Sequence, residues 1–171
     1  MDFNSLLTIE SFIANFPYFM FLVLLAMVYI SNTHTVETTV RNIDKVAWVH
    51  IKDGRVLMTR SHGKDTYYLP GGKRERGESD EACLLREVRE ELAVDLKPGT
   101  LRKLGIWEAQ AHGKPEGVKI VMPCYEADYD GELRASAEID EFVWLTYADR
   151  DCTGPVGQLV FDWLHERGAL L

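Results

Sequence analysis

The chain has 171 residues, of which 46% are hydrophobic and 27% charged, and its formal net charge at pH 7 is −8. This length supports one domain with a sizeable core plus an appendage, and the acidic balance argues against binding a nucleic acid polymer through a basic face. The cysteines, Cys83, Cys124 and Cys152, match neither a zinc spacing nor a disulfide framework, so we expect reduced thiols in a cytosolic setting.

The N-terminal segment, residues 1–39, differs from the rest because it contains no Lys or Arg and carries a long apolar run. The run at residues 13–30 is near the lower length limit for crossing a bilayer. No basic segment precedes it, which disfavours a secretory signal. The positive charges that follow, Arg41 and Lys45, would leave the next domain in the cytoplasm. Two interpretations stay open: a membrane anchor, or a segment with no membrane role, which would be either an upstream extension or a hydrophobic helix against a partner.

The domain proper is expected over residues 40–171, and it begins with a β-hairpin. Two strands are predicted at residues 46–51 and 56–60, joined by an Asp-Gly pair that favours the tight turns of hairpins. A short extended segment at residues 67–69 then leads into a sharp loop at Gly71 and Gly72.

An amphipathic helix follows this loop, with Ser79 or Asp80 as its N-cap. Apolar residues recur at steps of three and four, which predicts one buried face. The residues of that face are Ala82, Leu85, Val88 and Leu92.

The second half of the domain is predicted to hold strands at residues 104–111, 118–127 and 142–145, with Pro123 marking an edge or a bulge. A final helix starts at Pro155. Its predicted apolar stripe is Val156, Leu159, Val160, Trp163 and Leu164. Strands outnumber helices and each helix has one apolar face, so a mixed sheet covered by helices on both sides would bury both stripes. The predicted class is α/β.

Three glutamates, Glu87, Glu90 and Glu91, crowd one turn of the first helix. Like charges at this spacing destabilise a helix by about 0.2–0.5 kcal/mol per pair. A hard divalent cation reverses the sign of that effect, and clustered carboxylate oxygens suit Mg²⁺, with Mn²⁺ as the alternative.

The stretch from Gly72 to Val94 closely resembles the signature of the Nudix hydrolases, which are MutT-like enzymes. All but one of the defined positions are met, by Gly72, Glu78, Arg86, Glu87, Val88, Glu90, Glu91 and Val94. The family usually has Gly where this chain has Ala93, and we expect Ala93 to adopt a negative φ and to alter the helix exit. The resemblance implies an α/β/α sandwich around a mixed sheet, and Mg²⁺-dependent hydrolysis of a nucleoside diphosphate linked to another group.

The resemblance also implies roles for the matching residues. Glu87 and Glu91 would be the principal metal ligands, with Glu90 as a third and the backbone carbonyl of Gly72 as a fourth. Arg86 is expected to orient Glu90. The general base is either a helix glutamate or one from a later loop, where the candidates are Glu138 and Glu141. Glu138 would reach the metals more readily than Glu141 if its loop folds over the site, so the catalytic candidates are Glu87, Glu90, Arg86 and Glu138.

Substrate contacts are predicted beside the metal site. Lys73, Arg74 and Arg76 are candidates to meet phosphate oxygens, with one of the three expected to do so. Tyr68 is a candidate to stack on a nucleobase. The other aromatic candidates, Tyr67, Trp107 and Tyr147, are at strand positions where core packing is the commoner role. The loop around His112 is either a substrate lid or a surface turn.

The expected substrate is a small nucleotide: a nucleoside triphosphate, an ADP-sugar or a dinucleotide. Substrate choice lies outside the signature, so the motif does not decide between them. The competing classes are a non-catalytic nucleotide-binding regulator on the same scaffold and a membrane-tethered adaptor. The sequence gives no indication of the oligomeric state.

Overall fold

Residues 42–171 are the part of the chain that the computed structural model describes. The strands are β1 (Ile43–Trp48), β2 (Ile51–Lys52), β3 (Arg55–Ser61), β4 (Gly71–Lys73), β5 (Asp95–Leu96), β6 (Arg102–Gln110), β7 (Lys119–Glu126), β8 (Tyr129–Asp130) and β9 (Ile139–Leu145). The helices are α1 (Asp80–Leu92), α2 (Pro155–His165) and the 3₁₀ helix Tyr147–Cys152.

The N-terminal segment and its boundary with the domain lie outside the described residues, so that division of the chain stays a prediction. None of the helices in the described part has the length and apolar character needed to cross a bilayer.

A mixed four-stranded sheet forms the centre of the domain, with the strand order β4-β1-β7-β6. Strand β1 runs parallel to β7 and antiparallel to β4, while β6 and β7 are antiparallel. A second, antiparallel sheet has the order β2-β3-β9, and β5 pairs with β8. The predicted hairpin turn is present: Asp53 and Gly54 both have positive φ, 51° and 70°, as the tight turns that match strand twist require.

Alternation along β1 divides the interior into two cores. Val46 and Trp48 face a core that includes Leu84 and Val88 of α1. Ala47 and Val49 point the opposite way, into a core with Val160 and Phe161 of α2. Because successive strand residues face opposite sides, β1 is buried on both faces and each helix covers one of them. The predicted α/β class, with an α/β/α sandwich around a mixed sheet, is confirmed.

The two helices bury somewhat different faces from those predicted. In α1 Ala82 is exposed and Leu85 only partly buried, while Cys83 and Leu84 are in the core. In α2 Leu159 is 39% exposed and Phe161 is fully buried. Both sequences carry apolar residues on adjoining stripes, so the packing against the sheet decides which stripe is buried.

Two local expectations are wrong. Ala93 has a positive φ of 56° and its N–H donates to the carbonyl of Arg89, so the helix exit is left-handed despite the missing glycine. Pro123 does not mark an edge, because β7 is an interior strand. The bulge lies in the facing strand β6, between Lys103 and Gly105.

Candidate active site

The loop at the start of β4 brings the signature glycines against two glutamates of α1. Gly71 donates its N–H to Oε2 of Glu91 at 2.9 Å. Gly72 is buried, and a Cβ added there would lie 2.1–2.3 Å from the carboxyl atoms of Glu87. Only a glycine leaves room for that carboxylate, so the close approach requires Gly at position 72.

Glu91 is a buried acid, with only 7% of its surface exposed. Burial is the main cause that raises its pKa to about 8, and the charges of Glu87 and Glu138 add to the effect. The Gly71 hydrogen bond and the charge of Lys45 oppose it. A carboxylate removed from water in this way gains more from a bound cation than an exposed one does.

Arg86 fixes the position of Glu87. Its guanidinium donates to both oxygens of Glu78 at 2.9 Å and to Oε1 of Glu87 at 2.8 Å. Arg86 holds the pKa of Glu78 at about 2. The expected partner of Arg86, Glu90, is 3.6 Å away and its side chain is 55% exposed. Arg86 therefore orients Glu87 more directly than Glu90, and Glu78 in turn orients Arg86.

A loop from the other end of the sequence carries Glu138 to the same place. Arg134 and Ser136 donate their N–H groups, each at 2.9 Å, to the carbonyls of Leu92 and Glu91 at the end of α1. Ala137 then turns the chain with a positive φ of 52°. These backbone bonds satisfy carbonyls that the helix end leaves free and bring Glu138 beside Glu91.

Glu141, the other candidate base, is engaged elsewhere. Its Oε1 accepts hydrogen bonds from Tyr67 Oη at 2.7 Å and from Arg60 Nε at 3.0 Å. These bonds lower the pKa of Glu141. It is absent from the walls of the cavity described next.

The glutamates open onto a cavity of about 680 Å³, a volume in the range of small-molecule sites. One end is lined by Lys45, Gly71, Gly72, Lys73, Glu87, Glu91 and Glu138. The rest of the lining mixes aromatic and apolar side chains with polar and charged ones; it includes Tyr68, Leu69, Ile120, Met122 and Val156 together with Lys64, Asp65, Thr66, His112 and Lys114. The cavity therefore combines a cluster of acids and lysines with an aromatic and partly apolar surface.

The cavity includes some of the predicted substrate residues. Lys73 and Tyr68 line it. Arg74 does not: it pairs with Asp44 at 2.8 Å and with Asp80 at the N-terminus of α1. Arg76 is exposed and is also absent from the lining. Of the three basic residues predicted to meet phosphate, Lys73 is therefore the one that lines the cavity.

Several lining residues have no site role predicted from the sequence, among them Lys45, Lys64 and Lys114. Lys45 comes from β1, which no motif marks. His112 lies in the loop predicted to be either a lid or a surface turn, and its Nδ1 is 2.6 Å from Tyr68 Oη. Nearby, a Cβ added at Gly154 would lie 2.6 Å from the Tyr68 ring. The glycine thus leaves room for a tyrosine whose hydroxyl contacts the imidazole.

The oxygen donors at the charged end suit a hard divalent cation, although they do not form a complete cage. Within residues 42–171, no three acidic, histidine or cysteine side chains are gathered closely enough to hold a metal alone. Glu87, Glu91 and the Gly72 carbonyl supply oxygen only. Mg²⁺ commonly uses one or two carboxylates and completes its shell with waters and substrate phosphates, so the donor set fits it.

Comparison with known families gives a match over most of the chain. The family model described as NUDIX domain matches residues 41–158. A second model, described as a cell division protein (FtsL-like), matches residues 3–53, which is less than a third of the chain. No curated protein sequence matches the chain.

Several solved structures share the fold. The E. coli ORF135 protein has a TM-score of 0.60 and 24% identity, over 75% of this chain and 93% of that one. A MutT NUDIX hydrolase from Burkholderia pseudomallei has a TM-score of 0.58 and 22% identity, over 71% and 97%. A UDP-X diphosphatase has a TM-score of 0.57 and 18% identity, over 84% and 71%. At these identities the likeness concerns the fold.

Proposed function

The chain belongs to the Nudix family, and on that premise we propose that it is a Mg²⁺-dependent pyrophosphohydrolase cleaving the diphosphate link of a nucleoside triphosphate or a nucleoside diphosphate sugar. The family acts on nucleotide-linked small molecules in general. The observation that carries the proposal is the buried carboxylate of Glu91, held by Gly71 beside Glu87 at the wall of the cavity.

Glu87, Glu91 and the carbonyl of Gly72 are the proposed metal ligands. A bound Mg²⁺ supplies neutralisation of phosphate charge and a more acidic bound water. Glu90 is the third carboxylate proposed as a ligand. Its ion pair with Arg86 at 3.6 Å must open before it can turn toward the cavity. Mn²⁺ is expected to substitute, because it accepts the same oxygen donors.

Glu138 is the proposed general base, which accepts a proton from the attacking water at a carboxylate oxygen. Its place in the cavity wall beside Glu91 supports this role. Arg86 is a positioning residue: it holds Glu87 in place and is itself clamped by Glu78. Arg74 has no proposed substrate role, since two aspartates hold its guanidinium.

The part of the cavity around Tyr68 is the proposed site for the nucleoside. Tyr68 offers an aromatic face, and its hydroxyl contacts His112 at 2.6 Å. Aromatic rings bind nucleobases by stacking, which contributes about 1–3 kcal/mol per base. The two ends together fit a molecule with a charged diphosphate and a flat, less polar group.

The test is a hydrolysis screen of the purified domain against nucleoside triphosphates, nucleoside diphosphate sugars and dinucleotides, with Mg²⁺ and with a chelator. A non-catalytic nucleotide-binding regulator is the alternative, and the presence of all three carboxylates, Glu87, Glu90 and Glu91, argues against it. Tight nucleotide binding without turnover in Mg²⁺ or Mn²⁺ would support the regulator and exclude the enzyme.

We place the catalytic unit in residues 40–171, in the cytoplasm, and keep both interpretations of the N-terminal segment. Fractionation separates them. If residues 13–30 anchor the protein, the full chain sediments with membranes and a chain lacking residues 1–39 does not. If both remain in the supernatant, the anchor is excluded.

A further inference from the structure

Lys45 brings a positive charge to the acidic end of the cavity. It lies on the same face of β1 as Ala47 and Val49, because strand residues two apart share a face. Ala47 and Val49 pack into the core beneath α2, whereas Lys45 lies farther along, where that face opens into the cavity. Its side chain is half-buried and lines the wall.

The charged groups around Lys45 come from α1, from strand β4 and from the loop before β9. Three acids, Glu87, Glu91 and Glu138, act on it electrostatically, and Lys73 is the neighbouring cation. Burial is the main cause that lowers the pKa of Lys45. Even so, among the described residues no carboxylate lies within 4.0 Å of its ammonium and no hydrogen-bond acceptor contacts it. Glu91, the acid with the largest electrostatic effect on Lys45, accepts its hydrogen bond from Gly71 instead.

Lys45 is also paired with a like charge across the sheet. It is directly opposite Lys73 in the antiparallel β1–β4 register, and the next two positions of β4 are the glycines Gly72 and Gly71. Like charges directly opposite each other destabilise a strand pair. Both lysines line the cavity, so an anion entering there would meet two ammonium groups and reverse the sign of that repulsion.

We propose that Lys45, together with Lys73, binds the phosphate oxygens of the substrate diphosphate at the end of the cavity that the glutamates line. Ammonium groups donate to phosphate oxygens as compact point charges. The inference rests on the proposed function and adds to it a binding residue from outside the signature. In this arrangement the glutamates hold the cation and the two lysines neutralise the remaining charge of the diphosphate.

The test is binding of inorganic pyrophosphate, measured by calorimetry in the presence of Mg²⁺, for the wild-type chain and Lys45→Met. Methionine is unbranched and keeps most of the length of the side chain, but it removes the charge. We expect binding to weaken at least tenfold while the unfolding temperature without ligand stays equal or rises, because a half-buried charge has been removed. Lys52→Met, an exposed lysine of β2 outside the cavity, is the matched control and should bind like wild type.

Three results would overturn the inference: no binding of pyrophosphate by wild type, unchanged binding by Lys45→Met, or equal weakening in Lys52→Met. The last result would mean that the net charge of the protein, and not the position of Lys45, determines the affinity. The hydrolysis screen keeps the two proposals apart. Turnover by wild type with an unchanged KM in Lys45→Met would contradict this inference and leave the proposed function standing. Absence of turnover by wild type, with Lys45-dependent binding of pyrophosphate, would contradict the proposed function alone.

Discussion

The backbone N–H of Gly71 donates to Oε2 of Glu91 at 2.9 Å, which ties the loop before the signature helix to a carboxylate 20 residues later. The bond holds the acid in a fixed position although burial disfavours its charge. The Glu91 side chain of α1 thus contacts the Gly71 backbone and also lines the cavity. A site arranged before the ligand arrives spends less free energy on ordering its groups.

Glu91→Gln tests that side chain. The amide keeps the size of the acid and its acceptor oxygen for Gly71, but it loses the charge that would hold a metal. We expect kcat to fall at least about a hundredfold, while the unfolding temperature is kept or rises because a buried acid is gone. Glu116→Gln, on an exposed loop, is the control and should leave both unchanged. Wild-type kcat in Glu91→Gln would contradict the proposed role of Glu91 as a metal ligand.

Gly72→Ala tests the close approach to Glu87. The added Cβ would lie 2.1–2.3 Å from the carboxyl atoms, so Glu87 must move and activity should fall by at least about tenfold. A crystal structure of the variant should show the displaced carboxylate. Because Glu87 is the side chain in the way, the loss of stability on adding the methyl should vanish in a Glu87→Ala background. An equal loss in both backgrounds would contradict the account.

Arg86→Lys tests the clamp on Glu87. Lysine keeps the charge but cannot bridge Glu78 and Glu87 as the planar guanidinium does. We expect about a 10- to 100-fold loss in kcat/KM, measured in steady-state assays. Arg89→Lys, on the exposed side of the same helix, should have no effect. Wild-type kinetics in Arg86→Lys would show that the bridge is dispensable.

Ala93→Gly tests the left-handed helix exit. A non-glycine residue at φ 56° is strained, and glycine relieves that strain. We expect the free energy of unfolding to rise by about 1 kcal/mol, measured by denaturant titration. Ala82→Gly, at an exposed position inside the same helix, should lower it by a similar amount, about 1 kcal/mol. Destabilisation by both changes would mean that position 93 carries no strain.

The parts of the site that the sequence predicted depend on near neighbours in the chain. Ser79 caps α1 and accepts from the N–H of Ala82, as its position before the helical pattern indicates. Glu87 and Glu91 are one turn apart on the same helix, so their spacing predicts their proximity, and the resemblance to the Nudix signature implies that Gly72 joins them.

The parts that the sequence did not predict depend on contacts between distant elements. Lys45 reaches the cavity because β1 pairs with β4, and no local pattern encodes that pairing. The sequence names Glu138 as the loop candidate, but it does not reveal the backbone bonds from that loop to the end of α1. Arg74 is a candidate phosphate ligand from the sequence, but in the fold its guanidinium pairs with Asp44 and Asp80.

The central claim is that this domain hydrolyses a diphosphate link with a divalent cation, and ³¹P NMR of the reaction in ¹⁸O-labelled water tests it most directly. Nucleoside triphosphates and nucleoside diphosphate sugars would be incubated with the purified domain, with Mg²⁺ and with chelator. The account predicts that ¹⁸O appears on the phosphorus of one product, and only with Mg²⁺. Recovery of every substrate intact, or labelling that is equal with chelator, would contradict it.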